Sequence, residues 1–458
     1  MPGAATKHET SQVRPHESRL TERLASFCIA TPAEGLPPAA VESARQLILD
    51  TIGVALLASS HKIGRLITAH ARELGAHAPT ASVLGAGNLR VAPVFAAQAN
   101  GTLANALDYD GGVHLPTHIL PAVLAVAEES RCSGREVLAA FVLAYEAAAR
   151  LTKVIDGKRA EEQGPTYRGW WHVGLVGPIA AALGACRLKG ADAGAAARAI
   201  AIATASSGGF RASMGTMTKA LHSGNAARAG IEAAMLAMRG FTGEPHIIEA
   251  PLGFVQAIAM PDERDPAAIT ERLGKPFALE KPPGVKRYPA VSPAHGVITA
   301  AIELARQGGY TIDAIEKIES DYRTFSLHRA QARDTEQAGF CAPYLIAASL
   351  VHGEFGPEQI LPAAIDDPRV QALASRVVQI PKTEGEGNVV TLRLHGGRTL
   401  MARARGERAF EPDFIARKFT RSAAAAVSAR AADEIRDIVG HLEQQASIER
   451  LMGLARGA

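Results

Sequence analysis

Apolar residues recur at helical spacing along most of the chain. From Pro38 onward, Val41, Ala44, Leu47, Ile48, Ile52 and Leu56 fall on one stripe, while Glu42, Arg45, Gln46 and Asp50 take the opposite side. Such a pattern packs one face and wets the other. The same period predicts helices over Pro93–Leu107, Pro121–Glu129, Gly134–Thr152, Gly174–Leu188, Asp192–Ala205 and Gly224–Met238, with many small residues that let helices approach closely. Residues 1–17 are polar and aperiodic and read as a flexible tail. The texture changes after Gly253: Met260–Gly284 is rich in proline and charge, as domain borders are. A helix over Pro293–Gln307 follows, then strand-like alternation at Ile315–Tyr322 and Val377–Ile380. The clearest β signal is Val389–His395 and Arg398–Ala402 flanking Gly396-Gly397, because glycine supplies the positive φ of a tight hairpin. Beyond Arg408 the helical period returns, with Ile435, Ile438, Val439, Leu442 and Ile448 apolar within Asp433–Met452. The expected fold is mainly α: a large all-helical domain over residues 18–270 and a smaller α+β lid domain over 271–405.

Of the 458 residues, 47% are hydrophobic and 21% charged, enough apolar surface to exclude disorder as the dominant state. Lys and Arg number 49 against 46 Asp and Glu, and so small and scattered an excess argues against a dedicated nucleic-acid binder. Aromatics at 5% favour close-packed helices over a β-sandwich. The longest nearly apolar stretch, Val173–Cys186, has 14 residues, short of the ~20 that a membrane helix needs. With no signal-peptide pattern at the start, the expectation is a cytoplasmic protein with no membrane partner. Cys28, Cys132, Cys186 and Cys341 lie far apart and form no C-x-x-C pair, so they read as structural thiols.

The densest polar cluster runs from Asn100 to His118 and holds Asn105, Asp108, Asp110, Gly111, Gly112 and His114. Three readings stand: a metal site built from Asp and His, an acid–base pair in which a carboxylate fixes a histidine tautomer, or a polar loop. Pro116, between His114 and His118, disfavours an uninterrupted helix through both. A second cluster, Ser206–Asn225, carries hydroxyls, glycines, Arg211, Lys219 and His222 and reads as a loop before a helix starting near Gly224. Backbone amides and a helix N-terminus there would suit an anion. A third, Lys286-Arg287-Tyr288-Pro289 with His295 nearby, opens the smaller domain and by itself reads as a wet turn. His172 follows both tryptophans of the chain, Trp170 and Trp171, and reads equally as a core histidine packed on indoles. Tyr344 leads into an apolar helix and by itself passes as core. No G-x-G-x-x-G, G-x-S-x-G or H-E-x-x-H motif accompanies them. Cations, imidazoles and a phenol without a cofactor fingerprint suit a small polyanionic substrate and proton transfer.

The ordered segments NGTLANALDYD with PTH, GWWHVGLVGPIAAALG, MGTMTKALHSGNAARAG, GVKRYP and FCAPYLIAASL resemble the MmgE/PrpD family, which includes 2-methylcitrate dehydratase, cis-aconitate decarboxylase and iminodisuccinate epimerase. The resemblance implies that residues 406–458 complete the helical domain, that the active site lies in the cleft between the domains, that the protein is a homodimer and that it needs no cofactor. It places site residues at Asp108, His118, His172, Lys219, Lys286 and Tyr344. The chain departs from the family's H-A-L-D-[FY]-D-D-[TV] motif by carrying Asn105 for the histidine and Gly111-Gly112 after Asp110. The stretch up to Pro121 likewise departs from the usual histidine–proline–serine pattern.

Removing a proton next to a carboxylate builds a dianionic enolate, and fixed cations at the developing charge lower that barrier, each contact being worth ~3 kcal/mol. Lys219 and Lys286, helped by Arg287 and His222, are therefore expected to bind substrate carboxylates. His118, oriented by Asp108, and His172 or Tyr344 are expected to exchange protons. The leading expectation is a 2-methylcitrate dehydratase-like lyase, with cis-aconitate-type decarboxylation or iminodisuccinate-type epimerisation as alternatives. Outside this class stand a metal-dependent hydrolase using Asp108, Asp110, His114 and His118, and a carboxylate-binding protein without catalysis.

Overall fold

The computed structural model describes residues 19–156, 168–260, 265–322, 331–406 and 408–457. The expected N-terminal tail lies outside them. The first part of the chain is helical: α1 (Leu20–Ala30), α2 (Pro38–Ser59), α3 (Lys62–Gly75), α4 (Pro93–Asn105), α5 (Pro116–Ser130), α6 (Gly134–Asp156), α7 (His172–Leu188), α8 (Ala193–Thr204), α9 (Met217–Met238) and the short α10 (Phe254–Ile258), with a two-residue ribbon β1 (Ala81–Ser82) and β2 (Arg90–Val91). The second part holds α11 (His295–Gln307), β3 (Ile315–Ser320), α12 (Thr335–Ala338), α13 (Ala342–His352), α14 (Pro362–Ile365), α15 (Pro368–Ala374), β4 (Val377–Gln379), β5 (Asn388–Leu394) and β6 (Thr399–Ala404). Three helices close the chain: α16 (Pro412–Ala423), α17 (Ala429–Gly440) and α18 (Glu449–Ala455). The protein is thus mainly helical with one small mixed sheet in its C-terminal region.

At the centre of the helical part α7 is buried from Val173 to Cys186, so the 14-residue apolar run is a core helix. Among the described residues no single helix is long and apolar enough to cross a membrane. Around α7 pack α5, α6, α8 and α9, and α9 also lies along α4. Small residues set the crossings: a Cβ at Gly224 would stand 2.2 Å from the Gln98 carbonyl oxygen, and one at Gly230 would stand 2.4 Å from Ala181 Cβ. This explains one difference from the sequence pattern. Helix α9 begins at Met217, seven residues before Gly224, so Lys219 and His222 ride on its first two turns rather than on a loop. The polar and small residues that read as loop are what a tight α4–α9 crossing requires. A second difference is Asp50, read as a wet position but 2% exposed. Helix α16 crosses α2 there, with Phe419 against Gly53 and Lys418 reaching Asp50. A third is the C-terminal helix, which breaks after Gly440 into α17 and α18.

The sheet runs β4-β3-β5-β6, with β3 and β4 parallel and the other pairs antiparallel. Helix α11 packs on β5 and β6, and α13 packs on α11. The β5–β6 hairpin turns at Gly396 and Gly397, with φ of 88° and 83°, as the glycine pair predicts. The described part of the proline-rich border packs on the helical body: Glu146 of α6 accepts the amides of Gly274 at 3.3 Å and Ala278 at 2.6 Å.

Candidate active site

Between the end of α4 and the start of α5 the chain makes a tight, strained passage. Asp108, Val113 and His114 all take positive φ (50°, 50° and 69°), a region that costs a non-glycine residue about 1–3 kcal/mol and persists only where surroundings enforce it. Polar contacts do so at every residue from 108 to 112. Asp108 Oδ1 receives Lys219 Nζ at 2.5 Å and Oδ2 receives Lys286 Nζ at 2.7 Å, while Lys286 also donates to the Asp108 carbonyl at 2.9 Å. The Tyr109 carbonyl accepts from Lys418 at 2.6 Å, and the Gly111 amide donates to Asp50 at 2.9 Å. Asp110 Oδ2 meets His114 Nδ1 at 2.7 Å. Gly112 donates to the Gly284 carbonyl at 3.0 Å and accepts from the Tyr145 hydroxyl at 3.2 Å. Lys286 is aimed by its neighbour Val285, which pairs in both directions with Ala409.

Burial alone would raise the Asp108 carboxyl, but the ammonium groups of Lys219 and Lys286 outweigh it and hold it well below the usual carboxylate range. Burial pushes Lys286 down to about 8 against the pull of Asp108. Asp110 is likewise held low, its burial outweighed by His114. Burial, aided by both ammonium groups and opposed by Asp110, lowers His114. A carboxylate can only accept, so the proton of neutral His114 sits on Nδ1 and Nε2 carries the lone pair, 3.7 Å from Asp108 Oδ1. Asn105 Nδ2, 3.0 Å from the same Nδ1, then donates to Asp110 Oδ1 at 3.4 Å instead. Trp171 lies beside this imidazole, its ring centroid 5.4 Å away, and the Lys219 ammonium stands 5.8 Å from the indole. Trp171, Val173 and Met214 of the helical part form a small apolar cluster with Phe340 of the second part, joining the two next to the site.

The structure therefore brings Asp108, Lys219 and Lys286 together and sets His172 at the rim, where its Nε2–H donates to the Val113 carbonyl at 3.1 Å. Burial drives His172 down to about 4. The other expected residues turn elsewhere. Pro116 opens α5, which makes His118 its third residue and points the ring into the crossing with α7 and α9, against Gly177. Both His118 ring nitrogens are buried without a hydrogen-bond partner among the described residues, and burial lowers the group to about 3. The Tyr344 hydroxyl donates to the Gln359 carbonyl, with its ring edge-on to Phe355. Arg287 lies over the Phe414 ring, 3.8 Å from Glu411. His222 meets the Ser213 hydroxyl at 3.1 Å.

Sequence reasoning placed the oriented imidazole at His118, whereas the structure orients His114 through Asp110. Their four-residue spacing across Gly111-Gly112 was the available signal, since glycines let a chain turn back on itself. It also passed over Arg408, a half-buried cation attracted to Asp110 and Asp108, and the Asp50–Lys418 pair. The metal reading fares poorly on its donors. Asp108, Asp110 and His114 offer atoms within 4.8 Å of one another, but both Asp108 oxygens already hold ammonium groups that would repel a cation. His118, its fourth ligand, faces the helix crossing instead.

A helical body thus carries a buried carboxylate clamped by two lysines, with an oriented imidazole beside it. The chain matches the MmgE/PrpD N-terminal domain over residues 22–267 and the MmgE/PrpD C-terminal domain over 288–444, and it belongs to the MmgE/PrpD family. It is 26% identical to human cis-aconitate decarboxylase over 379 residues, covering 78% of this chain and 76% of the relative. It is also 26% identical to the cis-aconitate decarboxylase-like protein oryM of Aspergillus oryzae, over 96% of this chain and 98% of that one. With cis-aconitate decarboxylase of Aspergillus terreus it shares 28% identity over 64% of this chain and 61% of the relative.

Proposed function

We propose that the protein is a lyase that decarboxylates a small tricarboxylate of the cis-aconitate type. The observation that carries this reading is the Asp108–Lys219–Lys286 clamp with His114 beside it. The names of the relatives favour decarboxylation over the dehydration that the sequence pattern put first. Losing CO2 from the methylene arm of such an acid leaves the C–C electron pair in an allyl anion whose charge spreads into the carboxylate on the far carbon. The double bond shifts, and a proton added at the far carbon completes the product. Lys219 and Lys286 stabilise the charge as it spreads into a carboxylate, and His114 delivers the proton. Charge balance couples these roles. The two lysines already balance Asp108 and Asp110, so an incoming polyanion favours the protonated form of His114, with Arg408 as a further cation. Binding thus loads the acid that the next step spends.

Proton NMR of the protein with cis-aconitate, citrate, 2-methylcitrate and iminodisuccinate in D2O tests the reading. Decarboxylation of cis-aconitate with one deuterium in the product is the expected result. An alkene formed only from the hydroxy acids would assign dehydration instead, and exchange without net loss would assign epimerisation. Silence on all four would sink the proposal. The pH profile gives a second check. Lys286 is charged below its depressed pKa of about 8 and neutral above it. So kcat/KM should fall by roughly tenfold per pH unit on the alkaline side. In an active Lys286→Arg variant that limb should vanish, since guanidinium keeps its proton. A wild-type profile flat through that range would mean that Lys286 keeps its proton beside Asp108 throughout it.

A further inference from the structure

Asp50 and Lys418 supply no atom to the clamp around Asp108, yet they form a second buried ion pair directly behind it. Lys418 Nζ stands 2.7 Å from Asp50 Oδ1, and the two side chains are 2% and 1% exposed. They come from α2 and α16, near opposite ends of the chain. Burying two charges carries a desolvation penalty that their attraction often fails to offset, and apolar residues of similar volume commonly serve stability as well or better. The remaining contacts of the pair show what it does. Lys418 donates to the Tyr109 carbonyl at 2.6 Å and sits 3.9 Å from the centroid of the Tyr109 ring. Asp50 accepts the Gly111 amide at 2.9 Å. These two backbone groups flank Asp110, and Tyr109 follows the left-handed Asp108. The passage has no regular secondary structure to hold it between Asp108 and Gly111, so its course depends on such pins.

We propose that Asp50 and Lys418 are a positioning pair: by holding the backbone on either side of Asp110 they aim its carboxylate at His114 Nδ1 and keep Asp108 facing Lys219 and Lys286. The kinetic part of this inference rests on the acid role of His114 proposed above, whereas the geometric part does not. The pair acts through the carboxylates and touches no reacting atom.

The double variant Asp50→Asn/Lys418→Met tests it, because it leaves no unpaired buried charge, keeps an acceptor for the Gly111 amide and removes the donor to Tyr109. Two readouts separate positioning from mere stability. The first is the downfield proton resonance of the His114 Nδ1–H, assigned by its disappearance in His114→Asn. In a double variant that still melts cooperatively this resonance should move upfield or broaden. The second is steady-state kinetics: kcat should fall about tenfold to a hundredfold with KM nearly unchanged, as expected when a reacting group is displaced by a fraction of an ångström. A folded double variant with both the resonance and kcat at wild-type values overturns the inference. Should the double variant fail to fold, Lys418→Met alone decides by the same resonance, because it removes the donor to the Tyr109 carbonyl, and an unchanged position overturns the inference. If the wild-type protein turns over none of the four acids, the proposed function fails while the resonance still judges the pair.

Discussion

Replacing Lys219 by alanine is expected to lower kcat/KM by about a hundredfold to a thousandfold. Its ammonium group is buried on the first turn of α9, 2.5 Å from Asp108 Oδ1, and among the described residues its only other hydrogen-bond acceptor is the Asn105 carbonyl at 3.4 Å. It is therefore held at one spot. In decarboxylation the charge grows on the substrate as the C–C bond breaks. A fixed cation meets that charge more strongly in the transition state than in the ground state, so its loss should appear mainly in kcat. The alanine variant leaves Asp108 with Lys286, which donates to both a side-chain oxygen and the main-chain carbonyl of that residue. Asp108 is then still paired, and the passage keeps its other pins. A destabilisation of about 3 kcal/mol or less is expected, below the upper range for breaking a buried pair. Kinetics measured alongside thermal melting separate the two effects. A kcat/KM within about tenfold of wild type in a folded variant would mean that Lys219 only balances Asp108, since true charge-stabilising contacts are worth more.

The sequence carried the fold further than it carried the site. Helix α2 was legible because Leu47, Ile48, Ile52 and Leu56 form one buried stripe, and the β5–β6 hairpin was legible because Gly396 and Gly397 can only mean a turn of positive φ. Both signals are local. Asp50 was misread for the complementary reason: nothing within α2 tells that a lysine some 370 residues later will reach it. The start of α9 was hidden because Ser223 and Gly224 look like loop chemistry unless one knows that α4 lies against them. The lysines of the clamp stood in two separate polar clusters and became site residues through the family resemblance, whereas their pairing with one carboxylate is a tertiary fact. Tyr344, Arg287 and His222 show the converse. Their residue types suit the chemistry, but their side chains are engaged by Gln359, Phe414 and Ser213.

The sharpest separation of geometry from sequence pattern comes from the two histidines. His114→Asn should lower kcat by about a hundredfold to ten-thousandfold, the usual range for losing a general acid or base. His118→Leu should leave kcat within about threefold of wild type and stability equal or higher, since it exchanges an unpartnered buried imidazole for an apolar group of similar size. The reasoning turns on proton control. A group that must deliver a proton to carbon needs a fixed tautomer, a reason to become protonated on cue and a path to the substrate. His114 has the first from Asp110 at 2.7 Å and the second from the polyanion that Lys219 and Lys286 admit. Its free Nε2 faces the clamp and supplies the third. His118 has none of these, being neutral down to about pH 3 and enclosed by α5, α7 and α9. Asp110→Asn adds a discriminating control. It keeps the volume but lets the amide donate to Nδ1, which would force the proton onto Nε2 and cost about a thousandfold or more, as wrong-tautomer variants of carboxylate–histidine pairs do. If His118→Leu were the crippled variant and His114→Asn the active one, the acid would have to be placed behind α5, and Asp110 would be left with only a structural task.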